Sequence, residues 1–390
     1  NGIHHHYSED KIIPKFSQEY FTTIVKSVDP GRMPFRDGMA ADETLNEIIP
    51  VMFDPSFMPK RMSQAQGSDI VQTSAVNFYE GVTQKEVENF YNSMKDPNDD
   101  TPVSYGLNSK VTKEDGVVVE KVWKLGGMYD KAIERIIGWL EKASAIAENE
   151  QQKDIIDTLI EFYKSGSLET FDEYSVKWVK DTDSRVDFIN GFIETYTDPM
   201  GLKGSWESIV NFKSIEASKR TSIISDNAQW FEDNSPIDDK FKKEEVKGVS
   251  AKVITVAILG GDTYPATPIG INLPNADWIR RDHGSKSVTI DNITFAYGKA
   301  SEGDGFKEEF MWSDEEVELS KKYGALTDNL HTDLHECLGH GSGKLLPGVS
   351  TDVLQAYASP LEETRADLFA LYYLADPKLV ELGLLPDNEA

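Results

Sequence analysis

The sequence is poor in cysteine, in long apolar runs and in basic residues. Cys337 is the one cysteine among 390 residues, which excludes an internal disulfide and a zinc site built from four cysteines. No apolar stretch approaches the roughly 20 residues that cross a bilayer, and no apolar signal region opens the chain. We therefore expect a protein of the cytoplasm that has no membrane partner.

The shortage of basic residues limits the possible partners. Lys and Arg number 40 against 67 Asp and Glu, which gives a formal net charge of -27. Binding to phosphate groups needs clustered Lys and Arg, so we expect no nucleic-acid partner. The acidic surface would attract cationic peptides, or it serves only to keep the protein in solution.

The length and the hydrophobic content indicate more than one core. A chain of 390 residues, 39% of them hydrophobic, exceeds the usual size of a single domain. We expect two domains, or two lobes around a cleft. The chain opens with Asn1 rather than Met, so we expect an N-terminal part to be absent from it.

Helical signals lie in three regions of the chain. Thr83 and Glu86 form a capping-box pattern at the start of a helix predicted over 83–96. Helical spacing of apolar residues resumes from about 128, and Gly166 is a plausible stop. A third helical region runs from about 313 to the end.

Strand signals lie between these regions. Asp115 and Gly116 form a hairpin-turn pair between two segments rich in β-branched residues. The segment 249–259 is the strongest strand signal in the chain, and 288–297 is predicted as another strand. Helical flanks around a small β core indicate the α+β class.

One short motif concentrates chemistry. It reads His335-Glu336-Cys337-Leu338-Gly339-His340, one residue longer than the zinc motif HExxH. On a regular helix, residues four apart lie about 40° apart in projection and residues five apart about 140°. Both imidazoles can reach one metal only if the helix takes in the extra residue as a π-type bulge, for which Gly339 is the expected place.

A leucine stripe indicates how this helix is anchored. Leu326, Leu330, Leu334 and Leu338 recur every four residues and predict a buried face from which the histidines are displaced. Two histidines leave a catalytic zinc site incomplete, because such sites have three protein ligands and a water.

The third ligand is expected from the acidic run Glu362 to Asp367, which reads EETRAD. One glutamate could bind the metal while the other orients a ligand histidine. Asp367 could also orient a ligand histidine. The run is predicted to open a helix with an apolar face that includes Leu368, Leu371 and Tyr372, so its charge could instead only complement the helix dipole. His331 and His283 are interpreted as structural or solvated.

Four segments together resemble one enzyme family. HECLGH and EETRAD are similar to the HExxGH and EExRAE motifs of the dipeptidyl peptidase III family, the M49 zinc metallopeptidases. The segments GFIETYTDPMG at 191–201 and PIGINLPN at 268–275 are similar to two further family motifs. The similarity runs from about residue 5 to the end, and we expect a bacterial member seen as a partial chain.

The resemblance implies roles for the acidic and histidine residues. His335, His340 and Glu363 would bind one Zn²⁺, and Glu336 would be the general base that takes a proton from the zinc-polarised water. Glu362 and Asp367 would be carboxylates that support these ligands. The family usually has Glu where this chain has Asp367, which is one methylene shorter.

The resemblance also implies how substrate is held. Glu194, Asn272 and Asn275 would hold the free amino group of the peptide, and Tyr196 would contact a peptide carbonyl. Ile269 and Gly270 belong to a strand to which the peptide would add as a further strand. The implied activity is a zinc-dependent exopeptidase that releases dipeptides from the free N-terminus of short peptides.

The family fold implies a lower lobe with a β-barrel core and a mostly helical upper lobe that carries zinc. The lower lobe would comprise 1–213 and 248–302, and the upper lobe 214–247 and 303–390. We expect the further catalytic histidine and the basic substrate contacts of the family to lie beyond this sequence. A zinc endopeptidase and a noncatalytic peptide-binding protein that keeps the cleft stay open as alternatives.

Overall fold

The computed structural model describes residues 3–5, 8–33, 39–246, 251–264, 267–347 and 358–390. Their helices and strands fall into two compact units. The first unit comprises Asn1–Glu141, Leu159–Phe171 and Phe192–Trp206, and the second comprises Lys142–Thr158, Asp172–Gly191 and Glu207–Ala390. Among the described residues, no helix combines the length and the apolar character that a membrane crossing requires.

The described residues of the first unit form three α-helices of its own and a small sheet. The helices are α1 (Gln18–Ser27), α2 (Ala41–Phe53) and α3 (Gln84–Asn92), and the strands are β1 (Tyr79–Glu80), β2 (Ser109–Glu114) and β3 (Val117–Val122), in the order β1-β2-β3. The capping box of Thr83 and Glu86 is formed, which confirms the start of α3. The predicted hairpin is confirmed too, because Asp115 and Gly116 both have the positive φ that a tight turn between β2 and β3 requires.

Five elements have residues in both units. They are α4 (Asp130–Ser144), α5 (Glu150–Ser165), α6 (Leu168–Lys180), β4 (Val186–Glu194) and β5 (Ser205–Lys213). The helices predicted from about 128 are confirmed. Gly166 follows α5 with φ +73°, the left-handed conformation that ends a helix at glycine.

The second unit is built on the larger sheet. Its other strands are β6 (Ala251–Gly261), β7 (Gly270–Leu273) and β8 (Lys286–Ile290), and the order is β4-β5-β6-β8-β7. Strand β8 pairs in parallel with β6 and antiparallel with β7. Of the described strands, only β8 pairs with β7, so β7 is an edge strand, as the resemblance implies.

The strand predicted over 288–297 is wrong beyond Ile290. There β8 ends and α10 (Asp291–Ser301) begins. The Asn292 side chain accepts a hydrogen bond from Val256 N at 3.0 Å and donates one to Val256 O at 2.9 Å. Because this amide bonds to β6 in place of a strand backbone, the chain can leave the sheet as a helix despite its β-branched and aromatic residues.

The remaining helices belong to the second unit. They are α7 (Ile215–Asp226), α8 (Ala228–Asp233), α9 (Asp277–His283), α11 (Phe306–Phe310), α12 (Asp314–Leu334), α13 (Ala358–Leu374) and α14 (Lys378–Glu381). The helix predicted from about 313 is confirmed, with Ser313 as its N-cap. The α+β class is confirmed by this mixture of helices and sheets.

Helices α12 and α13 pack together over one apolar core. Leu330, Leu334 and Leu338 are almost completely buried in it, as the leucine stripe predicts, while Leu326 is only partly buried against it. The prediction for α13 is wrong in two respects. Its described part begins at Ala358, before the acidic run, and its buried face carries Ala366, Phe369, Ala370 and Tyr373 while Leu368, Leu371 and Tyr372 are exposed.

Candidate metal centre

The predicted helix distortion is present at the HECLGH motif. Residues His335–Gly339 form a π-helical turn that continues α12, and His340 N donates to His335 O at 3.1 Å. The hydrogen bond spans five residues, so it takes in the extra residue of the motif. The two imidazole rings then lie on one side of the helix, with their centroids 4.7 Å apart.

The reason why glycine is required at position 339 differs from the sequence-based expectation. Its φ is not positive, so backbone freedom is not the requirement. A Cβ at Gly339 would stand 2.8 Å from both the Cα and the carbonyl oxygen of Ala366 in α13. Glycine is needed because two helix backbones approach closely here, which brings the acidic run of α13 up to the histidines.

Three side-chain atoms converge at this contact. His335 Nε2 lies 3.0 Å from His340 Nε2 and 3.3 Å from Glu363 Oε2, and His340 Nε2 lies 3.7 Å from the same oxygen. Ligand atoms about 2.0–2.1 Å from a tetrahedral ion are about 3.3 Å from one another. The triangle therefore has the size of one face of a tetrahedral metal site.

Hydrogen bonds on the far side of each ring fix what the imidazoles present to the centre. His335 Nδ1 donates to Asp367 Oδ1 at 2.8 Å, and His340 Nδ1 donates to Glu362 Oε1 at 3.0 Å. With Nδ1 as the donor to its carboxylate, each ring turns its Nε2 atom towards the other ring and the Glu363 carboxylate. Two imidazole nitrogens and a carboxylate oxygen within 3.0–3.7 Å of one another are a donor set that fits a divalent metal.

Glu362 is held on both sides. Arg365 Nε donates to Glu362 Oε2 at 2.9 Å, and Arg365 Nη1 donates to Ser342 Oγ at 2.7 Å. The hydrogen bond with His340, followed by those with Arg365, lowers the pKa of Glu362 to about 2, and the bond to Glu362 raises the pKa of His340. Arg365 was not singled out from the sequence, although its position three residues after Glu362 on a helix is a usable signal.

The carboxylate of Glu336 does not join the triangle. It faces β7, where a Cβ added to Gly270 would stand 3.0 Å from Glu336 Oε1. Burial raises the pKa of this carboxyl group, and the neighbouring histidines oppose the rise. A carboxylate that is partly removed from water beside a candidate metal centre can act as a general base.

The backbone of β7 offers hydrogen bonds on its outer side. Ile269 O accepts from Ile290 N at 2.9 Å, and bonding alternates along an antiparallel pair, so the backbone groups of Gly270 and Asn272 face away from β8. The Asn272 side chain donates to Ser287 Oγ at 2.8 Å and accepts from Arg280. Glu336 thus lies beside β7, the strand in which Gly270 and Asn272 were expected to bind peptide, and Ile269 directly precedes that strand instead of belonging to it.

The other expected substrate residues lie apart along the chain. Glu194 is the last residue of β4, and Tyr196 follows it in the first unit with 75% of its surface exposed. Their loop is fixed by Asp198, whose carboxylate accepts from Leu202 N at 2.8 Å and Lys203 N at 2.9 Å. Asn275 is an exposed residue just after β7 in the second unit.

Two further side chains near the centre are those of Cys337 and His331. Cys337 is buried, as expected for a free cysteine, and burial raises the pKa of its thiol well above the ordinary value. His331, interpreted from sequence as structural or solvated, has Nε2 at 3.5 Å from Asp367 Oδ1. No pattern in the sequence pairs His331 with Asp367, because their proximity depends on how α12 and α13 pack.

Comparison with known proteins decides the family. The model of Peptidase family M49 matches residues 70–353, most of the chain. The chain belongs to peptidase family M49. The family expected from the four motifs is thereby confirmed, and because M49 is a family of metallopeptidases, a metal is implied.

Relatives of known name agree with this membership. The chain is 27% identical to dipeptidyl peptidase 3 of Dictyostelium discoideum, over 96% of this chain and 58% of that protein. It is 26% identical to dipeptidyl peptidase 3 of Nematostella vectensis, over 88% of this chain and 49% of that protein. The chain thus spans between about half and three fifths of these two relatives.

A solved structure agrees with the fold. The structure of DPP III from Caldithrix abyssi superposes with a TM-score of 0.67 at 21% identity, over 95% of this chain and 68% of that chain. At this identity the likeness concerns the fold, and it supports the α+β class.

Proposed function

We propose that this chain carries the zinc site and the general base of an M49 dipeptidyl peptidase. The complete protein would release dipeptides from the free N-terminus of short peptides. One observation carries the proposal: His335, His340 and Glu363 converge within the dimensions of a metal site, and Glu336, from the π-helical turn that carries His335, reaches the edge strand at Gly270.

His335, His340 and Glu363 would hold one Zn²⁺, with a fourth position left for water or substrate. The 3.0–3.7 Å spacing of their ligand atoms and the nitrogen and oxygen donor set support zinc. A bound zinc ion supplies Lewis acidity, which polarises a carbonyl group and lowers the pKa of water. Asp367 and Glu362 would hold the Nδ1 protons, so that each Nε2 stays available to the metal.

Glu336 would move the proton of the reaction. Its carboxylate would accept a proton from the attacking water and deliver it to the leaving amine nitrogen as the peptide bond breaks. Burial raises its pKa, which makes it a stronger base than an exposed glutamate. The glycine at position 270 leaves room for this carboxylate directly beside the strand.

The edge strand β7 would bind the peptide backbone. A peptide that pairs with the outward groups of Gly270 and Asn272 would pass beside Glu336, and Ile269, which is half exposed, would border it. Backbone pairing gives affinity with little preference for side chains. This mode suits an enzyme that accepts many short peptides.

Recognition of the free amino group would fix where the chain is cut. Glu194 would supply a negative charge, and the side-chain oxygens of Asn272 and Asn275 would accept hydrogen bonds from the ammonium group. Tyr196 would contact a peptide carbonyl near the cleaved bond. The match of GFIETYTDPMG and PIGINLPN to the family motifs supports these four roles.

The finer fold and location are also proposals for the complete protein. We propose a lower lobe of 1–213 and 248–302 with a β-barrel core, and an upper lobe of 214–247 and 303–390, around a cleft. These boundaries differ from those of the two compact units. A cytoplasmic location stays a prediction.

The test uses the complete protein with a short peptide that has a free amino terminus. Wild type is compared with Glu336→Gln, which keeps the shape of the side chain, and with Glu315→Gln at an exposed position of α12 as control. We expect Glu336→Gln to keep its zinc and lose roughly 10²–10⁴-fold in kcat. Retained activity would remove Glu336 as the base.

A second arm tests the exopeptidase assignment. The same peptide with an acetylated amino terminus should be cut far more slowly, because Glu194, Asn272 and Asn275 would have no ammonium group to hold. Equal cleavage of both peptides would identify an endopeptidase instead. Zinc binding without cleavage of either peptide would identify a noncatalytic binding protein.

A further inference from the structure

His331 lies one helical turn before His335 and on the same side of α12. Its Nε2 atom is buried and makes no hydrogen bond to the residues that the structure describes, and Asp367 Oδ1 lies 3.5 Å from it. The rings of His331 and His335 are 6.3 Å apart at an angle of 69°. We propose that His331 is a positioning residue that holds Asp367, and through it the His335 ring, in the orientation that metal binding needs. The proposal rests on the metal site proposed above.

One carboxylate oxygen lies close to both imidazoles. Asp367 Oδ1 already accepts from His335 Nδ1 at 2.8 Å, and a carboxylate oxygen has a second lone pair for another donor. A movement of roughly half an ångström would bring His331 Nε2 to the usual hydrogen-bond length of about 2.9–3.0 Å. The bond would satisfy the buried nitrogen and fix the carboxylate at the same time.

Asp367 needs such a support for a physical reason. Its side chain is 52% exposed, so the carboxylate can turn towards water instead of His335. It is also one methylene shorter than the glutamate usual in the family motif, and therefore has less reach across the space between α13 and α12. A donor on the preceding turn of α12 would draw the carboxylate back towards the His335 ring.

The orientation of His335 matters because only one of its nitrogens faces the centre. While Nδ1 donates to Asp367, Nε2 keeps its lone pair and lies 3.0 Å from His340 Nε2. If Asp367 turns away, the ring loses the partner that selects this tautomer and this angle. His331 would thus act on metal affinity while it touches neither the metal nor the substrate.

Two substitutions at position 331 separate the donor from the bulk of the ring. In His331→Gln, the amide nitrogen is as many bonds from Cα as Nε2 is in histidine, so it can still donate to Asp367. In His331→Asn the amide nitrogen is one bond nearer the backbone and falls short. His283→Asn, at an exposed histidine of α9, is the matched control.

The measurement is the Zn²⁺ affinity of the full chain, obtained by competition with a chelator. Loss of a partner behind a metal ligand typically weakens binding about 10–100-fold. We expect His331→Asn to weaken binding by about tenfold, at the lower end of that range, because it acts one step further out. His331→Gln and His283→Asn should stay within about threefold of wild type.

A second pair of variants tests the link to the short side chain. In an Asp367→Glu background the longer carboxylate reaches His335 unaided, so adding His331→Asn should cost less than about threefold in affinity. Thermal unfolding of the metal-free variants shows whether an effect is only structural. If His331→Asn also lowers the unfolding temperature, a disturbed fold would explain its weak zinc binding. The zinc affinity of His331→Gln is then the deciding measurement, and weak zinc binding by that variant would overturn the proposal.

Two other results would also overturn it. Wild-type affinity in His331→Asn would show that Asp367 needs no second donor. An equal loss in the wild-type background and in the Asp367→Glu background would show that His331 acts by another route. A different result would show that the proposed metal site itself is wrong. Wild type would then bind no stoichiometric Zn²⁺, and His340→Ala would not change Zn²⁺ binding.

Discussion

Glu336 and Gly270 meet at the edge of the larger sheet. A Cβ on the glycine would stand 3.0 Å from Glu336 Oε1, closer than side-chain contacts usually are. Gly270 begins β7, the edge strand proposed to pair with the peptide, and Glu336 is the proposed base. The missing side chain at position 270 therefore lets the group that moves the proton lie against the strand that holds the substrate.

Replacing Gly270 with alanine should impair catalysis more than folding. The added methyl group would push the Glu336 carboxylate away, and a displacement of about 1 Å at a reacting group can cost about 100-fold in rate. We expect kcat/KM of the complete protein to fall by about 10–100-fold with zinc content unchanged. Gly298→Ala in α10, where a Cβ meets nothing within 4 Å, is the control and should leave kcat/KM unaltered. Unimpaired catalysis by Gly270→Ala would refute the proposed contact.

Replacing Gly339 with alanine should instead affect the metal centre and the fold together. Its Cβ would meet backbone atoms of Ala366 at 2.8 Å, and backbone cannot move aside without shifting α13 and Glu363. Overpacking of this kind costs about 1–3 kcal/mol of unfolding free energy, and zinc affinity should fall with it. Gly138→Ala in α4, which has open space, should not destabilise the protein. Denaturant unfolding and chelator competition measure the two effects, and an unchanged zinc affinity would contradict the account.

Zinc affinity should depend on pH through His340. The hydrogen bond to Glu362 raises the pKa of His340, and the proton must leave Nε2 before a metal can bind there. Affinity should be full above this raised pKa and fall by about tenfold per pH unit below it, beginning at a higher pH than for a histidine of ordinary pKa near 6.5.

Glu362→Gln should move this fall in zinc affinity to lower pH, because the neutral amide stabilises the imidazolium less than a carboxylate does. Chelator competition at several pH values measures the midpoint. An unmoved midpoint would show that Glu362 does not control the protonation of His340.

Cys337 should be unreactive in the folded protein although it lies inside the zinc motif. The thiol is 2% exposed, and burial raises its pKa, so little reactive thiolate forms at neutral pH. We expect an aromatic disulfide reagent to label no thiol in the native protein and one thiol per chain in denaturant. Rapid native labelling with loss of zinc would place the side chain in an accessible site.

Some of the site follows from sequence and some requires the fold. The π-helical turn was predictable because histidines five apart cannot face one metal on a regular helix. The choice between Glu362 and Glu363 was open from the residues alone, because it depends on how α13 is rotated against α12. The link from His331 to Asp367 depends on the same packing, and no local pattern indicates it.

The fold shows the same division. The hairpin at Asp115 and Gly116 and the capping box at Thr83 were predictable because their causes lie within a few residues. The strand predicted beyond Ile290 was wrong because the deciding contact is between Asn292 and Val256, which are distant in sequence. Local propensity could not reveal a side chain that bonds to a neighbouring strand.

If His335, His340 and Glu363 together hold one zinc ion, the zinc content of the protein must depend on each of them. Wild type, His340→Ala and Glu363→Gln are dialysed against metal-free buffer and analysed for zinc per chain, with His283→Ala as control. We expect about one zinc per chain in wild type and control, and almost none in the other two variants. Full zinc content in His340→Ala or in Glu363→Gln would contradict this expectation.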